Sequence, residues 1–454
     1  MSKNIDMTSG TLGDKILKYA VTLAITGALQ QLFTAADIAV VGRFAGKTAM
    51  AAVGGNAPVI NLLINLFVGI SLGTNVVIAK SIGQKNASEV KKAVHTSFVV
   101  ALIGGVMISL LGEAIAPDVV RMLKVPDEVY GLSVEYLRIY LLGMPVILLY
   151  NFEAAIFRSC GNTKTPLIAL VISGVLNVAL NILFVVGYDM DVEGVAIATV
   201  LANFVSSLIL LIALIRTDEI VKVNIKSIRV HKNVLKQMLQ IGVPAGVQGM
   251  IFSFANIIVQ SGINSLGTTV IAASSAALNL EIFAFYIMNS YGQATTTFVG
   301  QNYGAKEPKR CRKVLKLCII QDYIITSVAC ILILVFSDQL LALFNTDPDV
   351  ISVGRIRLEY IFIGYLFSMA QEPLTGYLRG FGISFVPALC SVVGICVVRL
   401  TWIFTVFKQA PSFTKIMEVY PLSLGLTAFA ILVMVLIIKP SRRYIKVKEA
   451  SEEI

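Results

Sequence analysis

The chain has 454 residues, of which 56% are hydrophobic and only 14% charged, and its mean hydropathy is +0.81. About a quarter of the residues of a soluble globular protein are charged, so a soluble enzyme or binding domain is excluded and an integral membrane protein remains. The net charge of +10 does not point to nucleic acid, because the basic residues fall in separate loop clusters and not in one domain with interleaved aromatics.

The first residues are polar and no small-residue cleavage site follows the first apolar run, so no removable signal peptide is expected. Beyond them the hydropathy pattern predicts twelve helices, at about 16–40, 52–80, 93–117, 133–157, 165–187, 193–215, 236–264, 270–299, 314–342, 354–378, 385–407 and 419–438. Stretches without Asp, Glu, Lys or Arg, such as Thr48 to Ala79 and Gln237 to Leu280, are long enough to cross about 30 Å of hydrocarbon. The runs lack the short polar/apolar alternation of a membrane barrel, so the spans are helical.

The first helix carries Asp37 inside a run that is otherwise apolar or small. An ionised side chain at membrane depth costs a few kcal/mol or more and sits where a cation, a proton or water compensates it. The plain alternative is that Asp37 lies near the helix end and reaches the interface. The segment GRFAGKT, Gly42 to Thr48, has three residues between its glycines where a phosphate-binding loop needs four, and Val41 stands where the glycine should be, so ATP binding is rejected. Asn151 late in the fourth helix, Asn177 and Asn181 four apart on one face of the fifth, and Thr199 in the sixth are polar groups in apolar surroundings. Singly, each reads as a hydrogen bond between helices. Together with Asp37 they are the elements of an oxygen-lined pocket, the donor set that suits a hard cation such as Na+.

In the second half, Glu281 lies midway along the eighth helix, Glu372 in the tenth and Arg399 in the eleventh. Glu281 and Arg399 read either as a structural ion pair or, for Glu281, as a group that handles substrate or protons. Arg158 and Arg379, in FRSCGNTKTP and LRGFGISFVP, read as turn anchors. The pairs Gly69/Gly73, Gly242/Gly246 and Gly300/Gly304 stand at GxxxG spacing and read as packing. The cysteines, Cys160, Cys311, Cys318, Cys330, Cys390 and Cys396, include no CxxC pair and predict neither disulfide nor metal site. His95 and His231 sit beside basic loop residues, which leaves carboxylates to carry any intramembrane proton.

Four basic clusters, around Lys80–Lys92, Arg216–Lys236, Lys306–Lys316 and Lys439–Lys448, mark cytoplasmic loops, whereas the turn Tyr188–Glu193 is acidic. Both termini are therefore expected inside. An offset of 221 residues overlays Ala51 on Ala272, Gly83 on Gly304, Lys92 on Lys313, Arg158 on Arg379 and Pro166 on Pro387. The expected fold is thus all-α and membrane-integral, with twelve transmembrane helices in two pseudo-twofold six-helix lobes around a central cleft. The expected parts are 1–215 as N-terminal lobe, 216–235 as cytoplasmic linker, 236–438 as C-terminal lobe and 439–454 as cytoplasmic tail.

The segments ADIAVVGRFAG, AAVGGNAPV, GISLGTNVVIAKSIGQKN, FRSCGNTKTP with its copy LRGFGISFVP, and TTTFVGQNYGAKE are together specific, and over about Leu17 to Ile438 the chain resembles the multidrug and toxic compound extrusion (MATE) family. The resemblance implies a secondary antiporter that exports organic cations, drugs or toxic metabolites in exchange for Na+ or H+ by alternating access. It implies no enzyme activity and no cofactor. It places Asp37 on the family's first-helix coupling acid, with Asn151, Asn177 and Thr199 as its neighbours and Asn181 where many relatives carry a second acid. Thr22 stands where relatives often have a proline that lets the first helix bend. Ile251 and Ser368 stand where one branch carries acids. A Na+ site at Asp37, Asn177, Asn181 and Thr199, and an aromatic substrate wall from Phe33, Phe283, Phe285, Tyr286 and Met288 with Glu281 and Glu372, complete the expectation. The expected setting is the plasma (inner) membrane, as a monomer in the lipid bilayer, with small organic cations as partners and no nucleic acid. Its rivals are a flippase for a lipid-linked precursor, which should line its path with several Arg or Lys, and a membrane-embedded transferase, whose Asp-rich metal motif is absent.

Overall fold

Backbone N–H and C=O groups in hydrocarbon must find partners within the chain, and here they do so as helices. The computed structural model describes residues 4–123 and 125–441, and among the described residues there is no strand. In order, the helices are α1 (Gly13–Val40), α2 (Gly46–Gly83), α3 (Ala87–Met122), α4 (Asp127–Leu142), α5 (Met144–Ser159), α6 (Lys164–Ile182), α7 (Val192–Arg216) and α8 (Lys232–Asn264). There follow α9 (Thr268–Gly304), α10 (Pro308–Val335), α11 (Ser337–Ala342), α12 (Pro348–Gly380), α13 (Phe385–Ser391), α14 (Val398–Trp402) and α15 (Phe413–Ile438).

Nine helical runs among the described residues are long and apolar enough to cross a membrane, and the bent pair α4–α5 makes a tenth. The first run, Gly13–Gly83, holds two spans. At 71 residues a straight rod would be about 105 Å long, several times the hydrocarbon thickness. The run is broken by a wide turn at Val41–Ala45 and by Gly46, whose φ of +90° with ψ of −179° is open only to glycine. The twelfth span is α12, which carries Arg355, Arg357, Glu359, Glu372 and Arg379 and is for that reason less apolar than the others. The twelve-helix arrangement read from hydropathy is therefore present, six spans to each half of the chain.

The fourth span, expected as one helix over 133–157, is bent by 49° where α4 gives way to α5. Pro145, in the first turn of α5, has no N–H to donate back into α4. The bend lies against α3, where a Cβ on Gly105 would come within 2.3 Å of the Pro145 Cα.

The chain forms two compact units. One contains Ile25–Ile82 and Asn86–Gly242, and the other contains Asp6–Ala24, Gly83–Lys85 and the described residues from Val243 to Ser441. In the first unit, α2 meets the start of α8 through glycines: a Cβ on Gly73 would lie 2.2 Å from the Met238 carbonyl oxygen, and one on Gly242 would lie 2.5 Å from the Ile70 Cα. The packing reading of these GxxxG glycines is the one the structure shows.

In the second unit, the segment before α1 is held by α9 and α10. Asn302 donates to the Met7 carbonyl at 3.0 Å, and Arg310 donates to Gly10, Ser9 and Met7 carbonyls at 3.1, 3.2 and 3.3 Å. Tyr19 stacks edge-on against Phe298 at 5.6 Å and donates to Thr297 at 3.2 Å. The expected lobe boundary assigned all of 1–215 to the first lobe. Residues 6–24 cluster with the second unit, where Asn302 and Arg310 donate to the carbonyls of Met7, Ser9 and Gly10. Arg442, Arg443, Lys446 and Lys448 of the fourth basic cluster lie outside the described residues.

Replacing Gly73 by alanine should cost about 1–3 kcal/mol through backbone overlap with α8. Gly54→Ala, where nothing lies within 4 Å, should be neutral or mildly stabilising. Thermal denaturation of the two variants in detergent checks the contrast.

Candidate cation site

Asp37 sits near the end of α1 and is half-buried. Four residues earlier on the same face, Phe33 seats its ring against α6, where a Cβ on Gly174 would come within 2.0 Å of the ring. Gly174 is the notch that sets the register between α1 and α6. It lies seven residues, about two turns, before Asn181, so the notch that accepts Phe33 also brings Asp37 to Asn181.

Asn181 Nδ2 donates to Asp37 Oδ1 at 2.6 Å and to Asn177 Oδ1 at 3.4 Å, and Asn177 Nδ2 donates to Thr199 Oγ1 on α7 at 3.5 Å. Thr199 itself donates to the Val195 carbonyl at 2.9 Å. Asn177 and Asn181 are buried, and Asn181 Oδ1 is a buried acceptor without a hydrogen-bond partner. Asp37, Asn181, Asn177 and Thr199 are thus linked side chain to side chain, and each carries an oxygen of the type that hard cations bind. Asn151 is not in the chain of hydrogen bonds; its amide donates to the Ile147 carbonyl of its own helix at 2.8 Å. Tyr136 and Tyr140 of α4, which sequence reasoning passed over, are close enough to Asp37 to interact with it electrostatically. Their four-residue spacing was the available signal.

The pairing of Glu281 with Arg399, one of the two readings of these residues, is not the one the structure shows. Glu281 pairs with Arg357: Nε to Oε2 at 2.9 Å and Nη2 to Oε1 at 2.7 Å, with both side chains buried. Arg357 Nη1 also donates to Ser274 at 2.7 Å. Ser274 and Glu281 are two turns apart on the face of α9 turned to α12, which puts a bidentate acceptor in reach of a guanidinium on α12. Arg399 lies instead among α8 and α15, donating to Asn256 at 3.0 Å and Ser423 at 3.2 Å, with its guanidinium 4.3 Å from the Tyr420 ring and 5.5 Å from that of Phe252.

Of the other residues expected to meet substrate, Phe283 is 37% exposed and Tyr286 is half-buried against Phe285, ring centres 5.9 Å apart. Met288, at 1% exposure, is part of the packed core of the second unit. Glu372 is half-buried and makes no hydrogen bond or ion pair with the described residues. Arg379 donates to Gln248 at 2.8 Å. Two wholly buried carboxylates were not singled out from sequence: Glu153, which accepts from Ser207 at 2.8 Å, and Asp322.

The model of the MatE family matches residues 23–183 and 244–405. The chain belongs to the MatE family. The two matched stretches begin at residues 23 and 244, the same 221-residue offset as the internal repeat, so each half of the chain carries one copy of the family unit. Similar curated proteins include the probable multidrug resistance protein YoeA of Bacillus subtilis, 29% identical over 387 residues and 83% of each chain. Another is the probable multidrug resistance protein NorM of Thermotoga maritima, 26% identical over 410 residues, covering 87% of this chain and 85% of its own. The fold is also that of a MATE crystal structure in complex with MaL6, at a TM-score of 0.90 and 21% identity over 98% of this chain and 100% of that one. A transporter of the MOP superfamily from Pyrococcus furiosus matches at a TM-score of 0.89 and 21% identity, covering 97% of this chain and 99% of its own.

For this MatE protein, Glu281→Gln alone should destabilise by about 3–5 kcal/mol, because it strands the buried Arg357. Adding Arg357→Met should recover most of that loss, and Arg399→Met should not. Thermal unfolding of the single and double variants in detergent tells the two pairings apart.

Proposed function

We propose that this chain is a secondary antiporter of the cell membrane that exports drugs or toxic metabolites, organic cations among them, in exchange for Na+ or H+ by alternating access. The observation that carries the reading is the Asp37–Asn181–Asn177–Thr199 chain, one carboxylate with a buried, unpartnered amide oxygen beside it in a membrane-spanning bundle. The names of the relatives, multidrug resistance and multidrug export proteins, support drug-like cargo. In this reading the protein works as a monomer in the plasma membrane with both termini in the cytoplasm. Phe283, Phe285 and Tyr286 supply apolar contact for the cargo, and Asp37 is the ion carrier.

A single carboxylate fixes the electrostatics of the carrier. One bound Na+ or one proton neutralises Asp37 completely, so coupling ion and cationic cargo compete for one charge. Ion binding has to displace the 2.6 Å hydrogen bond from Asn181 or turn the amide so that Oδ1 faces the ion. Thr22, unlike a proline, keeps a backbone N–H for α1, and its hydroxyl donates to the Lys18 carbonyl at 2.8 Å. The release step in this reading is a rearrangement of the amide and not a proline-centred bend. The flippase reading loses support, because Arg357 is already bound by Glu281 and is not available to a phosphate.

Asp37→Asn should give a protein that inserts and folds but does not export dye from proteoliposomes under an imposed gradient; undiminished efflux at equal protein would remove Asp37 from coupling. Asn181→Asp adds a second charge. With Na+ as the ion it should strengthen the Na+ dependence of efflux, and with H+ it should move the pH profile while Na+ remains without effect.

A further inference from the structure

The first turns of α10 carry Lys309, Lys313 and Lys316, all exposed, and the same face continues along the helix with Ile320, Ile324 and Ile331, which are 43%, 59% and 58% exposed. Spacings of three, four and seven residues keep these side chains in one stripe. The opposite face of the helix, with Cys311, Val314, Cys318 and Asp322, is buried. Arg312, also exposed, flanks the stripe.

The protein does not meet the positive charge of this stripe. None of the three lysines makes an ion pair among the described residues. Between Lys306 and Gln321 the sequence holds one carboxylate, Glu307, at the N-cap of α10. The internal repeat supplies the contrast, because the 221-residue offset places the lysines on Ser88, Lys92 and His95 of α3. There Lys92 pairs with Glu89 at 2.8 Å, and His95 accepts from the Asn224 N–H at 3.2 Å. The equivalent position is satisfied within the first unit and left open on α10.

Distance along the helix selects the occupant. Ile320 and Ile324 lie four and eight residues beyond Lys316, about 6 and 12 Å at the helical rise. One leaflet of hydrocarbon, about 15 Å deep, covers both. A molecule whose anionic group meets the lysines therefore reaches the two isoleucines with an acyl chain, while the lysine stems lie on apolar surface and hold their ammonium groups at headgroup level. A soluble anion would use the lysines alone, and a lipid without net charge would use the isoleucines but leave the cations unmet.

We propose that this stripe of α10 is a binding surface for an anionic phospholipid, its phosphate at Lys309, Lys313 and Lys316 and a chain along Ile320 and Ile324. The inference goes beyond the export reading and does not depend on it, because lipid binding needs neither cargo nor an ion gradient.

The test places a reporter on the stripe. The chain has a single tryptophan, Trp402, so the full chain with Trp402→Phe and Ile320→Trp carries one indole, at the level of the acyl chains. Its quenching is measured in mixed vesicles in which either phosphatidylglycerol or phosphatidylcholine has brominated chains, which gives the relative association constant of the two lipids at that position. Phosphatidylglycerol should be preferred, by up to about fivefold for each lysine. Lys309→Gln, Lys313→Gln and Lys316→Gln together should remove most of the preference, and the single replacements decide the matter where the triple variant does not fold. Arginine at the same three positions should retain it, and Lys91→Gln with Lys92→Gln on α3 should leave it unchanged. Equal quenching by the two lipids in the parent, or a preference that the glutamine variants leave in place, overturns the proposal. Loss of the preference on adding millimolar glycerol phosphate overturns it in favour of a free anion. A preference seen only in a chain shortened to end at Ser441 overturns it in favour of residues 442–454 as the occupant.

Discussion

The hydrogen bond from Asn181 to Asp37, 2.6 Å long, joins residues 144 apart in the chain and ties α6 to α1. It depends on a contact with no polar atom in it, the Phe33 ring in the space left by the missing side chain of Gly174. A shift of α1 by one residue against α6 would turn Asp37 away by about 100°, leaving a carboxylate in hydrocarbon and Asn181 with only its 3.4 Å hydrogen bond to Asn177. Electrostatic cost thus selects one helix register, and a glycine makes that register sterically possible.

The same constraint governs the second unit, with a different solution. Glu281 and Arg357 satisfy each other through two parallel hydrogen bonds, and Arg399 is accommodated by Asn256, Ser423 and the face of Tyr420. These groups have their partners inside the protein and call for no ligand. Asp37 and Asp322 accept hydrogen bonds from Asn181 and Thr326 but, like Glu372, make no ion pair among the described residues. A carboxylate that lacks a fixed countercharge in a span is the group able to exchange a mobile one, which separates residues that hold the fold together from residues suited to carry an ion.

Close helix approach is the other requirement. The backbone of α2 meets that of α8 at Gly73 and Gly242, and α9 meets α12 at Gly292 and Gly376, where added Cβ atoms would stand within 2.9 Å of neighbouring atoms. In hydrocarbon, apolar side chains gain nothing by leaving lipid for protein, so dispersion contacts between backbones and a few hydrogen bonds must hold helices together. The polar residues that mark the site and the glycines that mark the packing are consequently parts of one arrangement.

The sequence by itself determined the membrane class, the twelve spans, the 221-residue repeat and the candidacy of Asp37, because the scarcity of charge over about twenty residues is a local property that hydrocarbon enforces directly. The pairing of Asn177 with Asn181 on one face was legible too, since a spacing of four is local geometry. Only the tertiary structure decided that Glu281 meets Arg357 and not Arg399, that Asn151 bonds within its own helix, and that Met288 is core. Helical periodicity says which residues share a face but not which helix that face will meet. The choice of neighbour is made by glycine notches, by the 49° bend at Pro145 and by side chains such as Arg310 that capture a distant segment, all of them contacts between residues far apart in the chain.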